Sequence, residues 1–255
     1  MKKIFYLLLP LVLFTSCSSK NIVESDNTDN VQKETIFYIV RHGKTLLNET
    51  NRVQGWADSP LMSEGTSITE KLGKGLLKED ISFDYAYSSD LGRARQTADI
   101  ILEEMNQSDL GLNFEEGFRE VNFGTYEGEK YSVMMQDISN SLGFNNLDEF
   151  KQSDIYNLKV RTDAMQTLDK TGYAESFDQL QSRMQKTLKR TATEVENNGG
   201  GNVLVVSHGM AIISLLTGMT DKEIPEHLVN ASVTKIVYKN DKFTVMSIND
   251  THYLE

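Results

Sequence analysis

The chain has 255 residues and a mass of 28.8 kDa, which is long enough for one large α/β domain or two small ones. Hydrophobic residues make up 39% and charged residues 25%, a composition that excludes a fibrous or wholly disordered protein. Acidic residues (37) outnumber basic residues (26), giving a formal charge of −11, so the composition argues against a nucleic-acid partner.

The N-terminus has the pattern of an export signal. Two lysines precede an apolar segment, 4–14, that is too short to span ~30 Å of hydrocarbon, which needs roughly 20 residues. The only cysteine, Cys17, follows, and segment 13–17 resembles the lipobox of bacterial lipoproteins, in which the cysteine is lipidated. We therefore expect a signal peptide over 1–16 and an exported protein, anchored through Cys17 to the extracytoplasmic face of a bacterial membrane. The alternative is a signal peptide that happens to end near a cysteine.

A polar tether and a folded domain follow. Residues 17–34 are rich in Ser, Asn, Asp, Glu, Gln and Lys, which predicts a flexible tether because such a segment cannot bury an apolar face. The domain is predicted over 35–255. It opens with a β-branched and aromatic run, 36–40, typical of a strand covered on both faces, and this strand ends at Arg41 and His42.

The next elements alternate between strand and helix. A short strand over 84–87 ends in two serines and is followed by a helix through Met105, in which apolar residues fall on one stripe. A longer amphipathic helix is predicted over 177–195, with Ser176 and Gln179 forming a capping box at its start.

The C-terminal part continues the alternation. An apolar strand over 203–206 ends at His208 and leads into a helical stretch, 210–216, and residues 232–248 are typical of a strand pair that turns at Asn240-Asp241. We predict a three-layer α/β/α sandwich with a mostly parallel central sheet.

Polar side chains lie at the ends of three predicted strands: Arg41 and His42, then Ser88 and Ser89, then His208. Ligands of open α/β sheets bind beyond the carboxyl ends of the strands, so these residues are expected to meet in one crevice. Because the arginine fork matches phosphate oxygens and stays charged, the crevice favours an anionic substrate.

Arg41-His42-Gly43-Lys44-Thr45, with Asn48 close behind, opens a series of motifs that follow the predicted elements in order. The series resembles the histidine phosphatase superfamily, also called the phosphoglycerate mutase-like family, over most of residues 35–247. A lone Arg-His-Gly would be weak support, whereas ordered motifs beside suitable elements are strong support. The other matching segments are 54–61, 88–98, 118–128, 174–176 with Arg183, and 207–209.

The resemblance implies a role for each site residue. His42 attacks phosphorus and holds a phosphohistidine, a role that suits a neutral imidazole with a pKa near ~6.5. Glu120 is the implied general acid and later activates water, which requires the pKa of its carboxyl to be raised. The implied contacts to the phosphoryl group come from Arg41, Arg93 and His208, supplemented by Asn48, Gln54 and the backbone N–H of Gly209.

The sequence leaves an alternative open for two of these assignments, the general acid and the role of Arg93. Glu127 lies in the same segment as Glu120 and competes for the role of acid. Arg93 has the alternative of pairing with Asp90 or Asp99 on the surface of its helix. No cofactor is implied, and no cluster of Cys, His and Asp with metal-ligand spacing is present, so no metal is expected.

The insert over 129–172 lies between the acid segment and the long helix, where members of the family often build a lid. It contains many apolar residues together with cations that include Lys151, Lys159, Arg161 and Lys170. One interpretation is that its helices simply pack on the main domain. The other is that some of its residues line the leaving-group pocket and choose the substrate.

The predicted activity is hydrolysis of small phosphomonoesters by a metal-independent, membrane-anchored histidine phosphatase. The chain lacks the Arg-Arg pair and the proline-rich stretch of the family's mutases, and an exported location disfavours glycolytic substrates. The alternatives are phosphoglycerate mutase-type transfer, in which water must be excluded, and a catalytically silent binding lipoprotein of the same fold. The implied partners are a small phosphorylated substrate and, through the lipid, a membrane.

Overall fold

A six-stranded sheet forms the centre of the domain in the computed structural model, which describes Met1 and residues 34–255. The strand order is β3-β2-β4-β1-β5-β6; the first four are parallel, while β5 and β6 run antiparallel at one edge. The predicted signal peptide, Cys17 and all of the tether except Glu34 lie outside the described residues. The strands are β1 (Thr35–Arg41), β2 (Tyr85–Ser88), β3 (Leu112–Phe114), β4 (Gly201–Ser207), β5 (Val233–Lys239) and β6 (Lys242–Asp250).

Helices cover both faces of this sheet. Along β1, Phe37 and Ile39 belong to one apolar cluster, whereas Tyr38 and Val40 belong to a second cluster. Because successive side chains of a strand point to opposite faces, two separate clusters indicate that both faces are buried. The helices are α1 (Leu46–Glu49), α2 (Ser63–Lys78), α3 (Gly92–Glu104), α4 (Tyr131–Ser141), α5 (Leu147–Lys151), α6 (Leu158–Leu168), α7 (Phe177–Asn197) and α8 (Gly209–Leu216).

The architecture is the predicted α/β/α sandwich with a mostly parallel sheet. α2 and α3 supply the second cluster, while α7, α8 and the insert supply the first. The capping box of Ser176 and Gln179 is present at the start of α7, as predicted. The predicted turn at Asn240-Asp241 joins β5 to β6, with positive φ at both residues, as a two-residue hairpin turn of type I′ requires.

The insert over 129–172 forms α4, α5 and α6, and most of its apolar side chains are buried in the core or partly buried against it. Met135, Ile138, Phe150 and Met165 all lie in the first apolar cluster. The insert is therefore a packed part of the domain. In the part of the chain that the structure describes, no helix has both the length and the apolar character needed to cross a bilayer.

Candidate active site

Two neighbouring parallel strands bring the two motif histidines together. β1 and β4 pair so that Arg41 lies opposite Ser207, which places His42 next to His208 one residue beyond the strand ends. The two buried imidazole rings have centroids 5.1 Å apart. The predicted meeting of distant strand ends is thus a direct consequence of the register between β1 and β4.

The ring of His42 is held in one tautomer. Its Nδ1 lies 2.8 Å from the carbonyl oxygen of Gly43, which can only accept, so Nδ1 carries the proton and Nε2 keeps its lone pair. The Nε–H of Arg93 points at Nε2 from 3.2 Å. Burial, and then the charges of Arg93 and Arg41, lower the pKa of His42 well below 6.5. The imidazole is therefore neutral at physiological pH, and its unprotonated, nucleophilic Nε2 accepts the hydrogen bond from Arg93.

Arg93 lies in the first turn of α3 and points into the protein, with only 1% of its surface exposed. Its Nη1 pairs with Asp58 Oδ1 at 2.9 Å, and its Nη2 donates to the carbonyl oxygen of Gly55 at 2.8 Å. Asp90 pairs instead with Arg119. The alternative of a surface pair between Arg93 and an aspartate of its own helix is therefore wrong.

Several buried polar atoms around His42 have no hydrogen-bond partner among the described residues. They are Nε of Arg41 and both ring nitrogens of His208. Arg41 is fixed through its Nη1, which donates to the carbonyl oxygen of Leu228. Burial, and then Arg93, lower the pKa of His208 well below 6.5. Buried donors are normally paired, so this group suits an anion that takes up their hydrogen bonds.

Glu120 lies in an irregular segment and aims its carboxyl group at the N-terminus of α8. Oε1 accepts from the backbone N–H of Ala211 at 2.8 Å and of Val121 at 3.0 Å, and Oε2 accepts from Met210 at 3.0 Å. The residue is 6% exposed, and burial raises the pKa of its carboxyl although these hydrogen bonds and Arg93 act in the opposite direction. This is the shift that the role of general acid requires.

The rival carboxylate, Glu127, is engaged differently. It accepts four hydrogen bonds from the backbone N–H groups of Gly55, Trp56, Ala57 and Phe123, at 2.8 to 3.1 Å. These bonds tie the loop that carries Asp58 and the Gly55 carbonyl to the acid segment, so Glu127 supports the loop that contacts Arg93.

A cavity of about 380 Å³ opens over Arg41 and His42. Glu120 lines it, together with the predicted substrate-binding residues Asn48, Gln54 and Gly209. The amides of Asn48 and Gln54 also brace the wall, because their side-chain oxygens accept from the backbone N–H and the hydroxyl of Thr45 at 3.2 and 2.6 Å. The apolar part of the wall comprises Val53, Phe123, Tyr131, Met210, Ile213 and Leu228.

The insert contributes one residue, Tyr131, to this wall. Lys159 pairs with Asp163 and Asp178, and Arg161 is buried against Glu226 at 3.0 Å. The expectation that insert cations face the substrate is thus not met by these two residues. The wall is built mainly by segments 44–54 and 226–230.

Sequence reasoning gave no role to Asp58, Glu226 or Asn230. Asp58 lies inside a matching motif, so its position was visible although its pairing with Arg93 was not. Asn230 donates from Nδ2 to the carbonyl oxygen of His42 at 2.8 Å, and no motif marks it. Within residues 34–255, no group of three or more His, Cys, Asp or Glu side chains is arranged to hold a metal ion.

The described geometry is that of a phosphoryl-transfer site, and comparison with known proteins agrees. A match to the family described as the histidine phosphatase superfamily (branch 1) spans residues 37–251. The chain belongs to this superfamily. Phosphatases and phosphoglycerate mutases are both similar to it, and the two activities share phosphoryl transfer but differ in the acceptor of the phosphoryl group.

Two relatives and one solved structure illustrate this division. A broad-specificity phosphatase of Saccharomyces cerevisiae, YOR283W, is 28% identical over 90% of each chain. A probable phosphoglycerate mutase of Erwinia tasmaniensis, GpmB, is 27% identical over 86% of this chain and 94% of its own. The crystal structure of a phosphoglycerate mutase from Bacillus anthracis has a TM-score of 0.83 and 38% identity, covering 89% of this chain and 97% of that one.

Proposed function

We propose that the protein is a phosphatase that hydrolyses small phosphomonoesters through a phosphohistidine at His42. The observation that carries this proposal is the neutral Nε2 of His42, facing Arg93 at 3.2 Å beside the unpartnered donors of Arg41 and His208. A phosphoryl group placed there would receive the nucleophile from one side, while fixed donors stabilise the charge on its equatorial oxygens.

The reaction balances with the groups present. The Nε2 lone pair attacks phosphorus, the bond from phosphorus to the ester oxygen breaks, and protonated Glu120 gives its proton to the departing alkoxide. A water molecule then attacks the phosphohistidine and transfers a proton to ionised Glu120. The phosphorus–nitrogen bond breaks, releasing inorganic phosphate and restoring His42 and Glu120.

The charges at the mouth of the cavity favour hydrolysis over mutase chemistry. Lys44 is already paired with Glu49 and Glu64 at 2.6 and 2.9 Å, and Glu226 on the wall is paired with Arg161 at 3.0 Å. Beyond the inner arginine and histidine groups, Arg52 is the wall cation for which the described residues show no carboxylate partner. A bisphosphorylated acid must place a second phosphate and a carboxylate in this region, and one unneutralised cation is poorly suited to hold both.

The second candidate function is phosphoglycerate mutase activity, which the likeness to the Bacillus anthracis enzyme favours. A direct competition tests the two. The purified protein is given 3-phosphoglycerate with catalytic 2,3-bisphosphoglycerate, and phosphate release and 2-phosphoglycerate formation are followed together. We expect phosphate release, and also hydrolysis of p-nitrophenyl phosphate in the presence of a chelator. Faster isomerisation than release would establish the mutase, and no turnover of any substrate would favour a silent binding protein.

We also propose that the enzyme is anchored by lipid on Cys17 at an extracytoplasmic membrane face. The support is the short apolar segment ahead of a lone cysteine in a lipobox-like setting. A diacylglycerol gives stable attachment, whereas a single chain gives marginal binding. Cys17→Ser is expected to leave the membrane fraction, and Ser19→Ala, as a matched control, to stay there. Equal membrane retention of Cys17→Ser would refute the anchor.

A further inference from the structure

The proposed acid, Glu120, lies in a segment that has no regular secondary structure to hold it. A 3-10 turn ends at Phe118 and the next begins at Gly124, so Glu120 belongs to neither a strand nor a helix. Its carboxyl group is nevertheless fixed against α8, and something else must hold the backbone in place.

Arg183 on α7 makes most of these backbone contacts, beside the indole Nε1 of Trp56, which donates to the carbonyl oxygen of Glu120 at 3.0 Å. Its Nη1 donates to the carbonyl oxygens of Gly117 and Arg119 at 3.0 and 2.9 Å, and its Nη2 donates to the carbonyl oxygen of Glu120 itself at 3.1 Å. The planar guanidinium thus donates hydrogen bonds to three carbonyl oxygens of segment 117–120. A lysine ammonium lacks this planar set of donors and cannot reproduce the geometry.

Glu175 completes the arrangement from the other side. It forms a two-bond ion pair with Arg183, at 2.9 Å to Nε and 2.6 Å to Nη2, and its Oε2 also accepts from the backbone N–H of Asn122 at 3.0 Å. The pair therefore forms hydrogen bonds with the backbone on both sides of Glu120. The side chains of Arg183 and Glu175 are only 20% and 17% exposed, so solvent screens the pair weakly.

We propose that Arg183 and Glu175 are positioning residues for the general acid. They fix the backbone at Glu120 so that its carboxyl group faces the departing oxygen while remaining buried at the start of α8. The proposal rests on the proposed role of Glu120, and the two ideas are separated by the choice of variants and substrates.

The consequence is a loss that depends on the leaving group. kcat/KM reports the reaction only through departure of the alcohol, and p-nitrophenolate leaves without a proton whereas an alkoxide needs one. Loosening the acid therefore slows alkyl phosphates and largely spares p-nitrophenyl phosphate. A general defect in the fold or in the phosphate site slows both by the same factor.

The same helix offers a matched control. Arg190 pairs with Glu115 at 2.6 Å, forms no hydrogen bond or ion pair with segment 117–122, and has a side chain that is 59% exposed. Arg183→Lys and Glu175→Gln are compared with Arg190→Lys and Glu115→Gln, and Glu120→Gln serves as the reference for loss of the acid. Each variant is assayed with glycerol 2-phosphate and p-nitrophenyl phosphate, and its fold is checked by thermal unfolding.

We expect Arg183→Lys and Glu175→Gln to lower kcat/KM for glycerol 2-phosphate by about 30-fold or more, which is part of the roughly 10²- to 10⁴-fold that general acid catalysis contributes, and for p-nitrophenyl phosphate by less than about threefold. The alkaline limb of the pH profile for the alkyl substrate should move to lower pH, because a more hydrated Glu120 ionises more readily. The two control variants should match the parent.

Equal losses on both substrates, or no loss, in folded Arg183→Lys and Glu175→Gln would overturn the positioning role. If Arg183→Lys fails to fold, Glu175→Gln decides by the same criterion, since it keeps an acceptor for Asn122. If Glu120→Gln itself shows no preference between the substrates, the acid assignment is wrong and the positioning proposal is overturned with it.

Discussion

Glu127→Gln separates a structural carboxylate from a catalytic one. The carboxylate of Glu127 accepts four backbone N–H groups. A glutamine keeps one oxygen and turns an NH₂ group toward two of those donors. Two unsatisfied N–H groups at roughly 1.5 kcal/mol each give a destabilisation of about 3 kcal/mol. For a domain of this size, that lowers Tm by about 6 to 12 °C.

The assay pairs thermal unfolding with kcat/KM for glycerol 2-phosphate and p-nitrophenyl phosphate. Because Glu127 holds the Gly55–Ala57 loop that contacts Arg93, any loss of activity should be the same for both substrates. The exposed Glu129 is the control, and Glu129→Gln should change stability by less than about 0.5 kcal/mol. A stable Glu127→Gln that selectively loses the alkyl substrate would refute this reasoning and make Glu127 the acid.

Three other outcomes are expected. His42→Ala should lower kcat by several orders of magnitude and abolish labelling as an acid-labile phosphoenzyme, since no other nucleophile replaces Nε2; retained labelling would contradict this. The pH profile of kcat/KM for alkyl phosphates, corrected for substrate ionisation at about pH 6, should stay level below pH 6.5, because burial lowers the pKa of His42 well below that value. The value should fall on the alkaline side as Glu120 ionises. A decline as the pH drops through 6.5 would contradict the neutral nucleophile. Gly117→Ala should destabilise the domain in thermal unfolding, because the added Cβ would lie 1.8 Å from Thr187 Oγ1, and Gly111→Ala, with nothing within 4 Å, should not.

The sequence determined many of the elements, though not α2 or β3, and the chain order of the site motifs, because these depend on short-range patterns. The β-branched run of β1, the stripe and capping box of α7, and the turn at Asn240-Asp241 are local features, and the structure has each of them. The polar strand ends also made the meeting of His42 and His208 predictable, since parallel strands share one carboxyl edge.

Tertiary structure decided which atoms face one another, and with that their chemistry. The lowered pKa of His42 and the raised pKa of Glu120 come from burial, which no local pattern specifies. The partner of Arg93 is Asp58, 35 residues away in sequence, and not an aspartate of its own helix. Glu120 and Glu127 lie in one motif, and only their hydrogen bonds distinguish their roles. The carboxyl group of Glu120 accepts from the start of α8, whereas that of Glu127 accepts from backbone N–H groups of a loop. Such contacts join segments that are distant in sequence, so only the folded chain determines them.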